Sequence, residues 1–214
     1  MSNNKNYNNI RMIALDMDGT LLRSDKTIHP DTLEDIKRAV CEGIIVSYCT
    51  GRAVPELLDF KDQLKFIRYG VCMSGALVYD FHEGRSIYKR PIADAHIKKI
   101  IEASSEDDAM VQLLSDEKSF VRADQVSHMG DYNLQIYQSM FERVTTRLAS
   151  IEDAFEQGSP LLKANVHYHS VEARERAYEE LKNLPLNITF SETTALEITA
   201  NGASKASGLS MLAM

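Results

Sequence analysis

"MIALDMDGTLL" (residues 12–22) is an apolar run that ends in two carboxylates one residue apart. Asp16 and Asp18 flank Met17, and Gly19-Thr20 follows before the chain turns apolar again at Leu21. The run from Arg11 to Leu15 reads as a short strand covered on both faces, as in a parallel sheet. Two carboxylates this close repel each other, so ionising both without a cation is costly. Either a divalent ion with oxygen ligands relieves the repulsion or one acid keeps its proton. A phosphoryl-transfer site can use both remedies.

The neighbouring segments extend the reading. "HPDTLEDIKRAVCEG" predicts a helix, with Pro30 in its first turn, Leu33, Ile36 and Val40 on one face and Gly43 at its end. "IIVSYC" (44–49) is the next strand, "TGR" (50–52) its exit loop, a helix runs from about Val54 to Lys65, and "GVCMS" (70–74) is a third strand. Strand, helix, strand, helix, strand is the order of a parallel sheet with right-handed crossovers. After residue 77 the texture changes. "LVYDFHEGRSIYKR" reads as a hairpin turning at Glu83-Gly84, and Ile97, Ile100 and Ile101 mark an amphipathic helix. "AMVQLL" and "SFVRA" pair around "SDEK", a helical region covers 133–157, "LLKANVHYH" (161–169) is a half-exposed strand, 171–183 a helix, and "NITFS" and "ALEIT" short strands. The expected fold is α/β, a Rossmann-like parallel-sheet core (1–82 and 190–214) with an inserted α+β cap domain (83–189).

Composition narrows the function. The 214 residues carry a formal charge of −7 and are 44% hydrophobic, enough for a real core. That charge argues against nucleic acid or an anionic membrane as partner. Cys41, Cys49 and Cys72 lack CxxC spacing and are expected to be buried thiols in a reducing cytosol. "MSNNKNYNNIR" has no apolar leader core, so the chain is expected to be cytoplasmic.

Ligands of open α/β sheets sit beyond the carboxyl ends of the strands. Asp16 and Asp18 end the first strand, Thr50-Gly51-Arg52 the second, and Lys205 opens the last helical stretch in "NGASKASGL". The chemistry these types support is attack of a carboxylate on a phosphomonoester, giving an aspartyl-phosphate. A neighbouring acid protonates the departing oxygen and later takes a proton from water. Magnesium, the Thr50 hydroxyl, backbone N–H groups and the Lys205 ammonium offset the negative charge. Gly19 lets the backbone approach closely.

These residues also resemble a family. "ALDMDGTLL" is similar to the first signature of haloacid dehalogenase-like (HAD) phosphatases, "VSYCTGR" to the second and "LEITANGASKASGL" to the third. "CMSGALVYD" resembles the strand-three segment of the Cof-type branch (class IIB, with a large C2 cap), with Ser74 where Asn is usual. The resemblance implies Asp16 as nucleophile and Asp18 as acid/base. It implies Asp16, Met17, Thr50, Gly51 and Lys205 around the phosphate, and Mg2+ on the Asp16 carboxylate and the Asp18 backbone carbonyl. A small phosphorylated metabolite is the implied substrate. The family's fourth signature, Gly-Asp-x-x-Asn-Asp, is absent from the nine residues after Lys205. The core is therefore expected to be C-terminally truncated, as a fragment, a premature stop or a form completed by association. Weak metal binding and weak or absent turnover follow. The alternative function is a catalytically impaired phosphate-ligand binding or interaction protein. Strand one is expected as an apolar edge, open to a homodimer partner.

Other features have plainer readings. Arg52 is either a site residue or half of a structural ion pair. "HYH" (167–169) is read as strand alternation ahead of a metal pair. Glu197 faces solvent or a structural partner, and Tyr132, Tyr137 and Phe141 belong to the cap core.

Overall fold

The computed structural model describes residues 10–214. Residues 1–9, which hold most of the polar stretch read above as lacking a leader, lie outside them. The first sheet contains β1 (Met12–Leu15), β2 (Ile45–Cys49), β3 (Tyr69–Cys72), β4 (Leu77–Asp80) and β5 (Arg85–Lys89), side by side in that order. β1, β2 and β3 are parallel, while β4 and β5 run back and forth antiparallel. Between β1 and β2 lies α1 (Pro30–Cys41). His29 Nδ1 accepts the Asp31 N–H at its start, and Gly43, at φ 82°, follows its end.

Three local expectations change. β1 is half-buried, with Ala14 exposed, because among the described residues it is the edge strand; nothing covers its outer flank. Residues 55–60 wind as a 3-10 helix, not the α-helix expected over 54–65, although Leu57, Phe60 and Leu64 are buried as that spacing required. Cys41 is exposed at the end of α1, whereas Cys49 and Cys72 are buried.

The chain continues through α2 (Asp94–Ser105), β6 (Met110–Leu114), β7 (Ser119–Arg122), α3 (Ala123–Val126), α4 (Gln138–Val144), β8 (Thr145–Leu148), β9 (Lys163–His167), α5 (Val171–Leu181), β10 (Leu186–Glu192) and β11 (Ala195–Ala200). The six strands form a second sheet in the order β10-β11-β9-β6-β7-β8. β8 interrupts the region expected to be helical over 133–157. Its Thr145-Thr146 favours extended backbone, and β7 offers a parallel edge. β5 belongs to the first sheet and β11 to the second, so the sheets exchange after Lys89 and after Ala200 rather than near 82 and 190. Finally α6 (Lys205–Leu212) returns to the first sheet, with Gly208 against Val71. None of the described helices is long and apolar enough to cross a membrane.

Alternation along β9 sets up the site. Ala164 and Val166 pack with Ile97, Ile100, Ala173 and Ala177 of α2 and α5. Lys163, Asn165 and His167 therefore point the other way, toward the first sheet. Strand register places Glu197 of β11 and Gln112 of β6 level with Asn165 on that same face. The joint between the sheets is also apolar, because Leu114 and Leu162 join the cluster built from Leu21, Tyr48 and Leu64.

Candidate active site

Asp16 and Lys205 are 189 positions apart in sequence, yet Lys205 Nζ donates to Asp16 Oδ1 at 2.7 Å. The first residue of α6 is held there by capping. Ser204 Oγ accepts the Ser207 N–H at 3.0 Å, and Ser207 Oγ accepts the Ser204 N–H at 2.9 Å. Asp18 has its own cations. Arg52 grips it with both arms, Nε to Oδ2 at 2.8 Å and Nη2 to Oδ1 at 2.9 Å, and Lys26 Nζ reaches Oδ1 at 2.9 Å. The Arg52 guanidinium lies 5.6 Å from the centre of the Phe60 ring.

The Arg52 hydrogen bonds outweigh burial and hold the Asp18 carboxyl down at about 2. A depressed carboxylate favours the folded state above its ordinary pKa of about 3.9 and loses that contribution as pH falls toward its folded value. Arg52→Met should therefore raise the Asp18 pKa partway back, with Lys26 still in place. Titration of the carboxyl carbon by NMR reads this, and an unmoved value would show that Arg52 is not the cause.

Thr50 is buried at the end of β2. Its N–H donates to the Val71 carbonyl at 2.9 Å, its Oγ1 accepts the Arg52 N–H at 3.2 Å, and its carbonyl accepts the Ser74 N–H at 3.0 Å. At Gly51 a Cβ would lie 3.3 Å from Ser74 Oγ and 3.4 Å from Glu197 Oε2, which leaves a side chain almost no room. Asp16, Asp18, Thr50, Gly51 and Lys205 all line one cavity of about 850 Å³. Met17 does not; its side chain is fully buried in the core beside Leu21, so only its main chain remains for the expected phosphate contact.

The second sheet forms the far wall. Lys163, 3% exposed, donates to the Gly51 carbonyl at 2.7 Å and pairs with Glu197 at 2.7 Å, and Ser74 Oγ also donates to Glu197. Glu197 thus has the structural partner left open above, and Ser74 makes a contact in place of the usual Asn. Gln112 Nε2 donates to Glu56 at 3.2 Å, and Arg143 to Asp59 at 2.7 Å, both from one sheet's elements to the other's. Sequence reasoning missed this wall, although the polar residues at every second position of "KANVH" carried the signal. Tyr132 and Phe141 are buried together; Tyr137 sits at the edge of that cluster and faces the cavity. His169 is not among the residues lining the cavity that His167 lines, and its Nδ1 hydrogen-bonds the Asp131 carbonyl at 3.0 Å.

Among the described residues no three His, Cys, Asp or Glu side chains gather into a metal cage. Lys205 engages only Oδ1 of Asp16. The second carboxylate oxygen, with backbone carbonyl at Asp18, fits a hard cation that keeps most of its own waters, as magnesium does.

The fold and family are shared with known proteins. One relative by sequence, 5-amino-6-(5-phospho-D-ribitylamino)uracil phosphatase YwtE of Bacillus subtilis, is 26% identical over 95% of this chain and 76% of its own length. A haloacid dehalogenase-like hydrolase from B. subtilis superposes with a TM-score of 0.79 at 19% identity, over 95% of this chain and 78% of that one. A HAD subclass IIB sugar phosphatase superposes with a TM-score of 0.75 at 19% identity, over 94% and 74%. The family model of the haloacid dehalogenase-like hydrolases matches residues 13–214, and the chain belongs to that family.

Proposed function

We propose that the chain is a magnesium-dependent phosphomonoester hydrolase acting on small phosphorylated metabolites, sugar phosphates among them. The observation that carries the reading is the meeting of Asp16 and Lys205 at 2.7 Å in a cavity that Asp18 and Thr50 also line. A carboxylate beside a fixed ammonium at a strand end suits a phosphate that must be held and attacked in one place.

An Asp16 oxygen forms a bond to phosphorus as the ester P–O bond breaks, and the departing oxygen takes a proton. Water then attacks phosphorus, releasing inorganic phosphate and the Asp16 carboxylate. Asp18, ionised beside Arg52, has the charge state of a base, and it gains the strength to take the water's proton as Arg52 and Lys26 release it. To donate one in the first half it must exchange Arg52 and Lys26 for the leaving oxygen as substrate enters. Thr50, the Gly51 N–H and Lys205 hold the phosphate oxygens. The Asp16 carboxylate and the Asp18 carbonyl would hold magnesium, which would supply neutralisation of the developing negative charge.

One observation favours a second reading, a phosphate-ligand binding or interaction protein without turnover: Asp16 and Asp18 are both already paired with cations. An assay of phosphate release with magnesium over a panel of sugar phosphates separates the two. The hydrolase reading expects turnover that EDTA abolishes. Phosphate binding without release would favour the second, and equal turnover in EDTA would remove the metal from the account.

A further inference from the structure

His167 is 8% exposed and lines the cavity, yet among the described residues no protein group hydrogen-bonds to its ring. Neither ring nitrogen is among the sealed polar atoms without a partner, so the ring reaches cavity space and does not end inside the wall. Burial, and the Lys163 charge on the same face, push its pKa down to about 4. At neutral pH it therefore presents one N–H donor and one bare nitrogen acceptor. Open to the cavity and, among the described residues, without a protein partner, these two nitrogens are free to bond a ligand in place of water.

Its surroundings say what that partner is. On the same face Asn165 gives its amide N–H to Gln112 at 2.8 Å, and its carbonyl oxygen has no protein donor among the described residues. Lys163 is neutralised by Glu197, and the Glu192 carboxylate also lines the cavity. Ile136 and Tyr137 line the cavity as well, adding apolar surface. At about 3.3 Å per residue, β9 runs about 13 Å from Lys163, which touches the phosphate loop at Gly51, to His167. That spans a short chain or ring of carbons beyond the phosphate.

We propose that His167, with Asn165, is the specificity-determining pair of a leaving-group subsite, and that it takes an uncharged group carrying several hydroxyls. This rests on the phosphatase reading of the same cavity. Each hydroxyl is both donor and acceptor and so can satisfy the imidazole and the Asn165 carbonyl together. A second phosphate or a carboxylate would meet Glu192 and, among the described residues, find no free cation on this face.

The test has two arms. In the first, ring nitrogens of 15N-histidine-labelled Asp16→Asn protein are followed by NMR as ligand is added. Glucose 6-phosphate, ribose 5-phosphate or glycerol 3-phosphate should shift the His167 resonances, whereas inorganic phosphate should leave them unmoved. This arm needs no turnover, so it still reads the subsite if the hydrolase proposal fails. In the second, His167→Phe should lower kcat/KM on the best sugar phosphate about 10-fold or more while phenyl phosphate stays within about 3-fold, as expected for lost hydrogen bonds to hydroxyls. His167→Gln, which keeps a donor and an acceptor, should recover part of the loss and controls for folding. The proposal is overturned if no sugar phosphate moves the ring, if fructose 1,6-bisphosphate moves it more than the monophosphates, or if phenyl phosphate suffers equally.

Discussion

Asp16→Asn is expected to lower phosphate release by at least about a thousandfold, because removal of a covalent nucleophile leaves only binding and charge stabilisation. Asn has nearly the same shape but no anionic oxygen, so the bond to phosphorus cannot form and the reaction stops at its first half. The fold should hardly notice. The Asp16–Lys205 pair is 43% exposed on each side, and ion pairs in that setting contribute about 0–1 kcal/mol. In a domain of this size that is a shift in Tm of at most about 2–4 °C. Steady-state kinetics and a melting curve on the same preparation separate chemistry from stability. Undiminished turnover with an unchanged Tm would place the nucleophile elsewhere.

Gly75→Ala should be the most damaging single methyl in the molecule. Gly75 has φ +98°, and a Cβ there would lie 1.8 Å from the Ser204 carbonyl oxygen and 2.2 Å from its carbon. Those are backbone atoms at the start of α6, so no side-chain rotation relieves the clash. The preceding residues Met73 and Ser74 also have positive φ, 50° and 54°, so the turn has little freedom left to absorb a shift. Accommodating the methyl means moving the cap that aims Lys205 at Asp16. A loss of about 4 kcal/mol or more, or failure to fold, is expected. Denaturant unfolding measures it, and Gly84→Ala is the control. Gly84 also has positive φ, +64°, but nothing lies within 4 Å of the added carbon, so about 1–2 kcal/mol of backbone strain is the whole expected cost. Equal effects at the two glycines would refute the close-packing argument.

Much of the site was legible before any coordinates. An apolar strand ending in Asp-x-Asp-Gly-Thr, a strand ending in Thr-Gly-Arg and a capped helix opening on Lys are local patterns. In a parallel sheet such strand ends fall on one rim, and Lys205 arrives at Asp16 as that layout requires. Arg52 was ambiguous because ion-pair choice is not local; the fold brings it to Asp18 rather than to an acid outside the site. The 133–157 region misled for a similar reason. Its residues tolerate helix, but an open edge on β7 recruits Thr145–Leu148 into a sheet.

By itself the sequence determined the strand–helix order of the core and which polar residues end its strands, because both depend on short-range spacing and backbone preference. Only the tertiary structure decided that β11 joins the second sheet, that Lys163 reaches Gly51, and that His167 faces the cavity without a partner among the described residues. These depend on which strands pair and in what register. A shift of one residue would turn Lys163, Asn165 and His167 away from the cavity and into the apolar layer against α2 and α5.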